Sequence, residues 1–333
     1  MAYPWNNGDL LTPANLNYKS AGPYVDARWF DVDFTYNPGV SSPVDNTEML
    51  QDAIDYAYTV SAYSAYEKGS IVMLPKGFGY FTEEIVVPNG VFLEGQGTMS
   101  TGLAFNGTNA ITHAIRIGED NATAAFGCGL RKLTVRNLQT PATTNAGTNV
   151  IYTDSAQHDG GLDTVYIFGG GRTCFKAELG YGGATTMTLR DVETHNYGAS
   201  GGAPDNAQVI LDIPSAFIEV GYLITQGMSD GTSGASAQGL VINSGYVHVK
   251  GYHVEWIANG ITIEQDTSPH HTTIHNATGG SGVTNVVRST ASDRAGVHVL
   301  LGRILLNGAT NSYQDNRGGG STVAADIFLD ASY

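Results

Sequence analysis

Charge is the first thing this chain has little of. Charged residues make up 14% of its 333 positions, against about a quarter in ordinary soluble domains, so long solvated helices rich in Glu and Lys are not expected. Bases are scarcer than acids: 16 Lys and Arg face 31 Asp and Glu, a net charge of −15. Nucleic-acid binding relies on clustered cations that displace counterions, which excludes nucleic acid as a partner. Attraction to anionic membranes is excluded on the same ground. No apolar run reaches the ~18 residues that would cross a bilayer. The opening MAYPWNNGDLLTPANL lacks the basic start and apolar run of a secretory leader, so the chain is read as made in a cytosol. The two cysteines, Cys128 and Cys174, sit in no zinc or redox spacing and are read as small core residues. No cofactor is expected.

Glycine is abundant, 43 residues, about twice the usual ~7%. With the many Thr, Asn and Val residues, it describes short strands and frequent turns. Hydrophobic residues, at 41%, are enough for a sizeable core. Residues 1–27 are polar, rich in Pro and Asn and without a period, and read as an N-terminal arm or adaptor. Residues 28–333 read as one domain. A single helix is predicted over about 45–68. Asp45 and Glu48 have capping-box spacing, Leu50, Ala53, Ile54, Ala57 and Val60 form one stripe, and Gly69 is the stop.

The rest reads as strand, and it repeats. LTVRNLQT (Leu133–Thr140) matches MTLRDVET (Met187–Thr194) at an offset of 54. Leu138, Val165 and Val192 recur every 27 residues. A second strand series ends at Asp154, Glu178, Asp212, Asn243 and Glu264. Two strand series that recur every 25–30 residues, with no helix between, predict an all-β fold: a right-handed single-stranded parallel β-helix capped by the N-terminal helix. Each coil then needs a neighbour to bury its core. The predicted inward column is Val135, Val165, Leu189, Val220, Val249, Ile274 and Val299. Gly95-Gln96-Gly97 lacks the third glycine of a dinucleotide loop, since Ser100 stands there, and reads as a strand corner.

From Trp29 to Gly97 the chain resembles the pectate-lyase-like superfamily, closest to its bacteriophage tailspike and exopolysaccharide depolymerase branch. Asp45-Asn46-Thr47, Leu74-Pro75-Lys76-Gly77 and Pro88–Gly97 carry the resemblance. The Gly-Asp-Gly usual before the helix is replaced by TYNPGVSSPV. The resemblance implies a homotrimer that binds, and as glycoside hydrolase or polysaccharide lyase degrades, a bacterial surface polysaccharide. It also implies attachment to a phage tail or baseplate through the N-terminus, so that the protein is made in the host cytoplasm and acts outside, on the virion. The alternative is a non-catalytic trimeric spike or fibre module that only binds or bears load.

Five residues are the catalytic candidates: Asp154, Glu178, Asp212, Glu193 and Arg190. The first three end strands of the second series and would stack at roughly 4.8 Å steps. Carboxylates that close raise one another's pKa or call for a cation, so a divalent cation is the one metal considered there. Spacings of ~5–5.5 Å suit a retaining glycosidase and ~6.5–9.5 Å an inverting one. The competing reading makes them solvated strand-end residues. Glu193 and His195, before the loop NYGASGGAPDNAQ, have the spacing for acid–base work. Arg136, Asp163, Arg190 and Glu219 read as an outward column of alternating sign, with Arg190 the candidate base of a lyase. Tyr197, Tyr252, Trp256 and His195 are the candidate sugar contacts.

Overall fold

Alternating apolar and polar residues in short runs, each closed by turn residues, form strands that pair only in parallel throughout the described residues. The computed structural model describes residues 24–39, 42–60, 70–106, 113–118, 125–138, 149–157, 160–169, 173–178, 186–195, 207–213, 216–227, 238–264, 270–290 and 297–315. Among these, the strands make a 12-stranded sheet A, a 9-stranded sheet B and a two-stranded corner pair. Successive strands of one sheet are separated in sequence by a strand of the other, so the chain winds as a right-handed parallel β-helix. Its core is one continuous apolar cluster running from Val25 to Ile304.

Sheet A is bent along a line. Lys132, Thr164 and Asp191 have φ of 52°, 58° and 51° and lie level on three successive rungs. This left-handed conformation is unfavourable for a β-branched residue such as Thr164. Each of the three turns the strand and puts two inward residues three apart rather than two, Leu162 and Val165 for instance, both buried. The bend divides sheet A into an early and a late limb.

The bend also corrects the predicted register. One inward column runs Leu130, Leu162, Leu189, Val220, Val249, Ile274 and Leu301. A second runs Leu133, Val165, Val192, Leu223, Tyr252, Ala277 and Ile304. The expected column crossed between them and beyond: Val165 belongs to the second and Leu189 to the first, while Val135 pairs with Ile167 and Val299 with Thr272, in neither. The 54-residue match between LTVRNLQT and MTLRDVET is likewise not the structural register, because Val165 joins Leu133 to Val192. Coil length is less regular than the repeats implied. In sheet B it runs from 21 residues, Leu240 to Ile261, to 36, Asn149 to His113.

Helix α1 (Thr47–Val60) packs over the first coil against the strands Ser70–Met73 and Ile85–Val87. Leu50, Ala53, Ile54 and Ala57 are fully buried there, and full burial of Leu50 and Ile54 is worth about 3–6 kcal/mol together. Asp45 accepts hydrogen bonds from the Thr47 amide and hydroxyl, as a capping residue would. Asp45 is held by a partner the spacing did not predict: Thr82 donates to its carboxylate through both its amide and its hydroxyl. The helix stop expected at Gly69 lies outside the described residues. Most of the expected arm does too, but Tyr24–Asp26 already forms a strand paired with Ser70–Met73.

Candidate active site

Residues i and i+2 of a strand share a face. At the C-terminal end of three successive strands of sheet B, the outward pairs are Tyr152 with Asp154, Lys176 with Glu178, and Ile210 with Asp212. Tyr152 pairs with Lys176 and Lys176 with Ile210, and Glu178 pairs with Asp212. Asp154 follows Thr153, which pairs with Ala177, so it stands beside Glu178. The Asn243 and Glu264 amides bond to Leu211 and Ile242 carbonyls at 2.8 and 2.9 Å and continue the row. Three acidic residues thus stand on successive strands, whose backbones are spaced at about 4.8 Å.

Glu178 is the centre of the row. Tyr152 Oη donates to its Oε1 at 2.5 Å, and Lys176 Nζ lies 2.7 Å from its Oε2. Burial alone would push the carboxyl up. The hydrogen bonds from Lys176 and Tyr152, with the Lys176 charge, outweigh that and hold it below the usual range. Tyr152 moves the other way. Burial first, then the bond to ionised Glu178, pushes its phenol well above the ordinary value of 10.0. At neutral pH the site therefore holds a carboxylate and a phenolic proton in contact.

The Tyr152 ring is held from the preceding strand, His113–Ile117. His113 stacks on it at 4.0 Å between centroids and 5° between planes. The Asn149 amide nitrogen lies 3.3 Å from His113 Nδ1; as the donor, it leaves the ring proton on Nε2. The Arg116 guanidinium sits 5.6 Å from the Tyr152 centroid and pairs with Glu84 at 3.2 Å. Asp212 Oδ1 accepts from Asn243 at 2.8 Å. Among the described residues, no three His, Cys, Asp or Glu side chains are placed to hold a metal ion.

The other candidates are scattered. Glu193 and His195 do meet, with Nε2 2.7 Å from Oε1, but on the late limb of sheet A. His195 is 7% exposed, closed in by Phe168 and by Tyr166, whose hydroxyl is 2.6 Å from Nε2. Arg190 is on the early limb, exposed and paired with Asp163 at 3.3 Å. The alternating column holds only in part: Arg136 lies opposite Phe168, and Glu219 pairs with Lys250 at 2.7 Å. Tyr252 is not a surface contact. It is 2% exposed, and its hydroxyl bonds to Thr225 at 2.6 Å. The inward parity of its strand and the absence of a side chain at Gly239 draw it into the core. Trp256 is half-buried against Gly282, with φ of 57°. Tyr197 lies outside the described residues.

Tyr152, Lys176, His113 and Arg116 were not among the expected site residues. Two of them had a readable signal: Tyr-x-Asp and Lys-x-Glu place both residues on the face that bears the acid.

No family model and no curated protein matches the sequence. Among solved structures, the chain is similar to the A-module of the mannuronan C-5 epimerase AlgE6 from Azotobacter vinelandii, at 14% identity and a TM-score of 0.39 over 91% of this chain and 99% of that one. It is also similar to the tailspike protein of E. coli bacteriophage HK620, at 14% identity and a TM-score of 0.40 over 91% of this chain and 64% of that one. At such identities the likeness is one of architecture.

Proposed function

We propose that the outer face of sheet B hydrolyses a glycosidic bond in a bacterial surface polysaccharide. The observation that carries this reading is the carboxylate row Asp154, Glu178, Asp212 with Glu178 held ionised. A neighbouring rung offers the ~5 Å carboxyl spacing of a retaining enzyme. In this reading Lys176 orients Glu178 through Oε2, and Glu178 attacks the anomeric carbon through Oε1 as Tyr152 swings its bond aside. Asp154 protonates the departing oxygen, then takes a proton from the water that releases the sugar. A lyase would need a cation to neutralise a uronate carboxylate. Arg116 and Lys176 are both already paired with carboxylates, which favours hydrolysis.

The wider setting belongs to the same proposal: a homotrimeric spike on a phage tail, acting outside the cell. The resemblance from Trp29 to Gly97 supports it. So does an exposed aromatic stack, Phe217 on Tyr246 at 4.6 Å, 56% and 44% exposed, of a kind that subunit association covers.

The test is incubation with a panel of capsular and O-antigen polysaccharides. New reducing ends with retained anomeric configuration are expected, and Glu178→Gln should lower the rate by roughly 10²–10⁴-fold. Products with the ultraviolet absorbance of an unsaturated uronide would replace hydrolysis by elimination. Binding without cleavage of any polymer would leave a receptor-binding spike.

A further inference from the structure

Sheet A carries a polar depression on its early limb. Its volume is about 340 Å³, and Phe92, Arg131, Gly161, Asp163, Thr188 and Arg190 line it. That is the small end of the range for ligand pockets. Arg131, Asp163 and Arg190 occupy one outward column on successive rungs. Gly161 gives the floor its bareness. It has φ of 138°, and a Cβ there would lie 2.0 Å from the Thr188 carbonyl oxygen, so the close approach of the rungs demands glycine.

Arg190 is engaged by Asp163, and the neighbouring Lys132 by Glu94 at 2.8 Å. Arg131 differs. It is half-buried, with its guanidinium carbon 3.6 Å from the Phe92 ring centroid, and no carboxylate pairs with it among the described residues. The stacking is worth about 0.5–1 kcal/mol; it orients the group without neutralising it. The acids opposite it on the flanking rungs, Glu94 and Asp163, are taken by Lys132 and Arg190, so in a chain of net charge −15 this partly desolvated guanidinium keeps its donors open to a further anion.

We propose that this depression is an oxyanion-binding subsite, separate from the sheet B face. It takes one carboxylate or phosphate group, gripped by the planar donor fork of Arg131 and assisted by Arg190 from across Asp163. The inference stands on this geometry and does not depend on sheet B being catalytic.

Titration of the full chain with inorganic phosphate, with glucuronate and with glucose, followed by NMR or calorimetry, tests it. Saturable, salt-sensitive binding of at least one anion is expected, with none of glucose. Phosphate alone would identify a phosphate ligand, and glucuronate alone an acidic sugar. Arg131→Met keeps contact with Phe92 but removes the charge, and should weaken binding about tenfold or more. Asp163→Asn removes the competing carboxylate and should tighten it, which a loosened fold would not do. The proposal is overturned if neither anion binds, if glucose binds as well as glucuronate, or if Arg131→Met binds unchanged.

Discussion

Glu178 and Tyr152 show how two residues on neighbouring strands set each other's protonation. The carboxyl is held below its ordinary 4.5 by hydrogen bonds that exceed the effect of burial, and the phenol is pushed up by burial and by that same carboxylate. A group with a depressed folded value stabilises the fold above its unfolded value, and that contribution is lost as pH falls through the folded value. The acid limb that Glu178 contributes to the pH–rate profile should therefore lie below pH 4.5. Tyr152→Phe removes one donor and should move the limb upward, as kcat/KM measured across acidic pH would show. The acids of this row were legible because each ends a strand after buried residues. Tyr152 and Lys176 were passed over, although the alternation that aims the acids outward aims them outward too. His113 was not legible: it reaches Tyr152 from the next rung, 39 positions away in the chain.

At the level of the strand, the bend in sheet A matters most. The strand content and its parallel winding were readable from the recurring apolar runs, but the register was not. Lys132, Thr164 and Asp191 carry no sign of a left-handed backbone, as a glycine would, so the three-residue step between the inward columns was hidden, and strict alternation along the strand assigned residues beyond the bend to the wrong column. Where the backbone does demand glycine, the demand is specific. Gly161→Ala would meet both an unfavourable φ and a carbonyl oxygen at 2.0 Å, whereas at Gly97, with φ of 130°, nothing lies nearer than 3.8 Å. Gly161→Ala should cost at least about 2 kcal/mol and Gly97→Ala about 1 kcal/mol, measured by urea denaturation.

The whole molecule is stable only as a stack, since each coil buries its neighbours' side chains. The cap was the most legible part, because Leu50, Ala53, Ile54 and Ala57 combine a helical period with one apolar face and need something to cover. Its removal should act on association as well as on stability. Leu50→Asp or Ile54→Asp buries an unpaired charge, at about 3–5 kcal/mol, and uncovers the first coil and its sheet edge. Large aggregates on size-exclusion chromatography are the expected outcome, where the parent gives a single defined species.

The strands hold register while the coils differ by as many as 15 residues, from 21 to 36. The surplus is taken up between strands, so the spine is indifferent to how much chain is spliced between its rungs. Such a scaffold lets selection rewrite its rim by insertion and deletion while the interior goes on tolerating almost nothing. Divergence in what the surface meets then outpaces divergence in the frame.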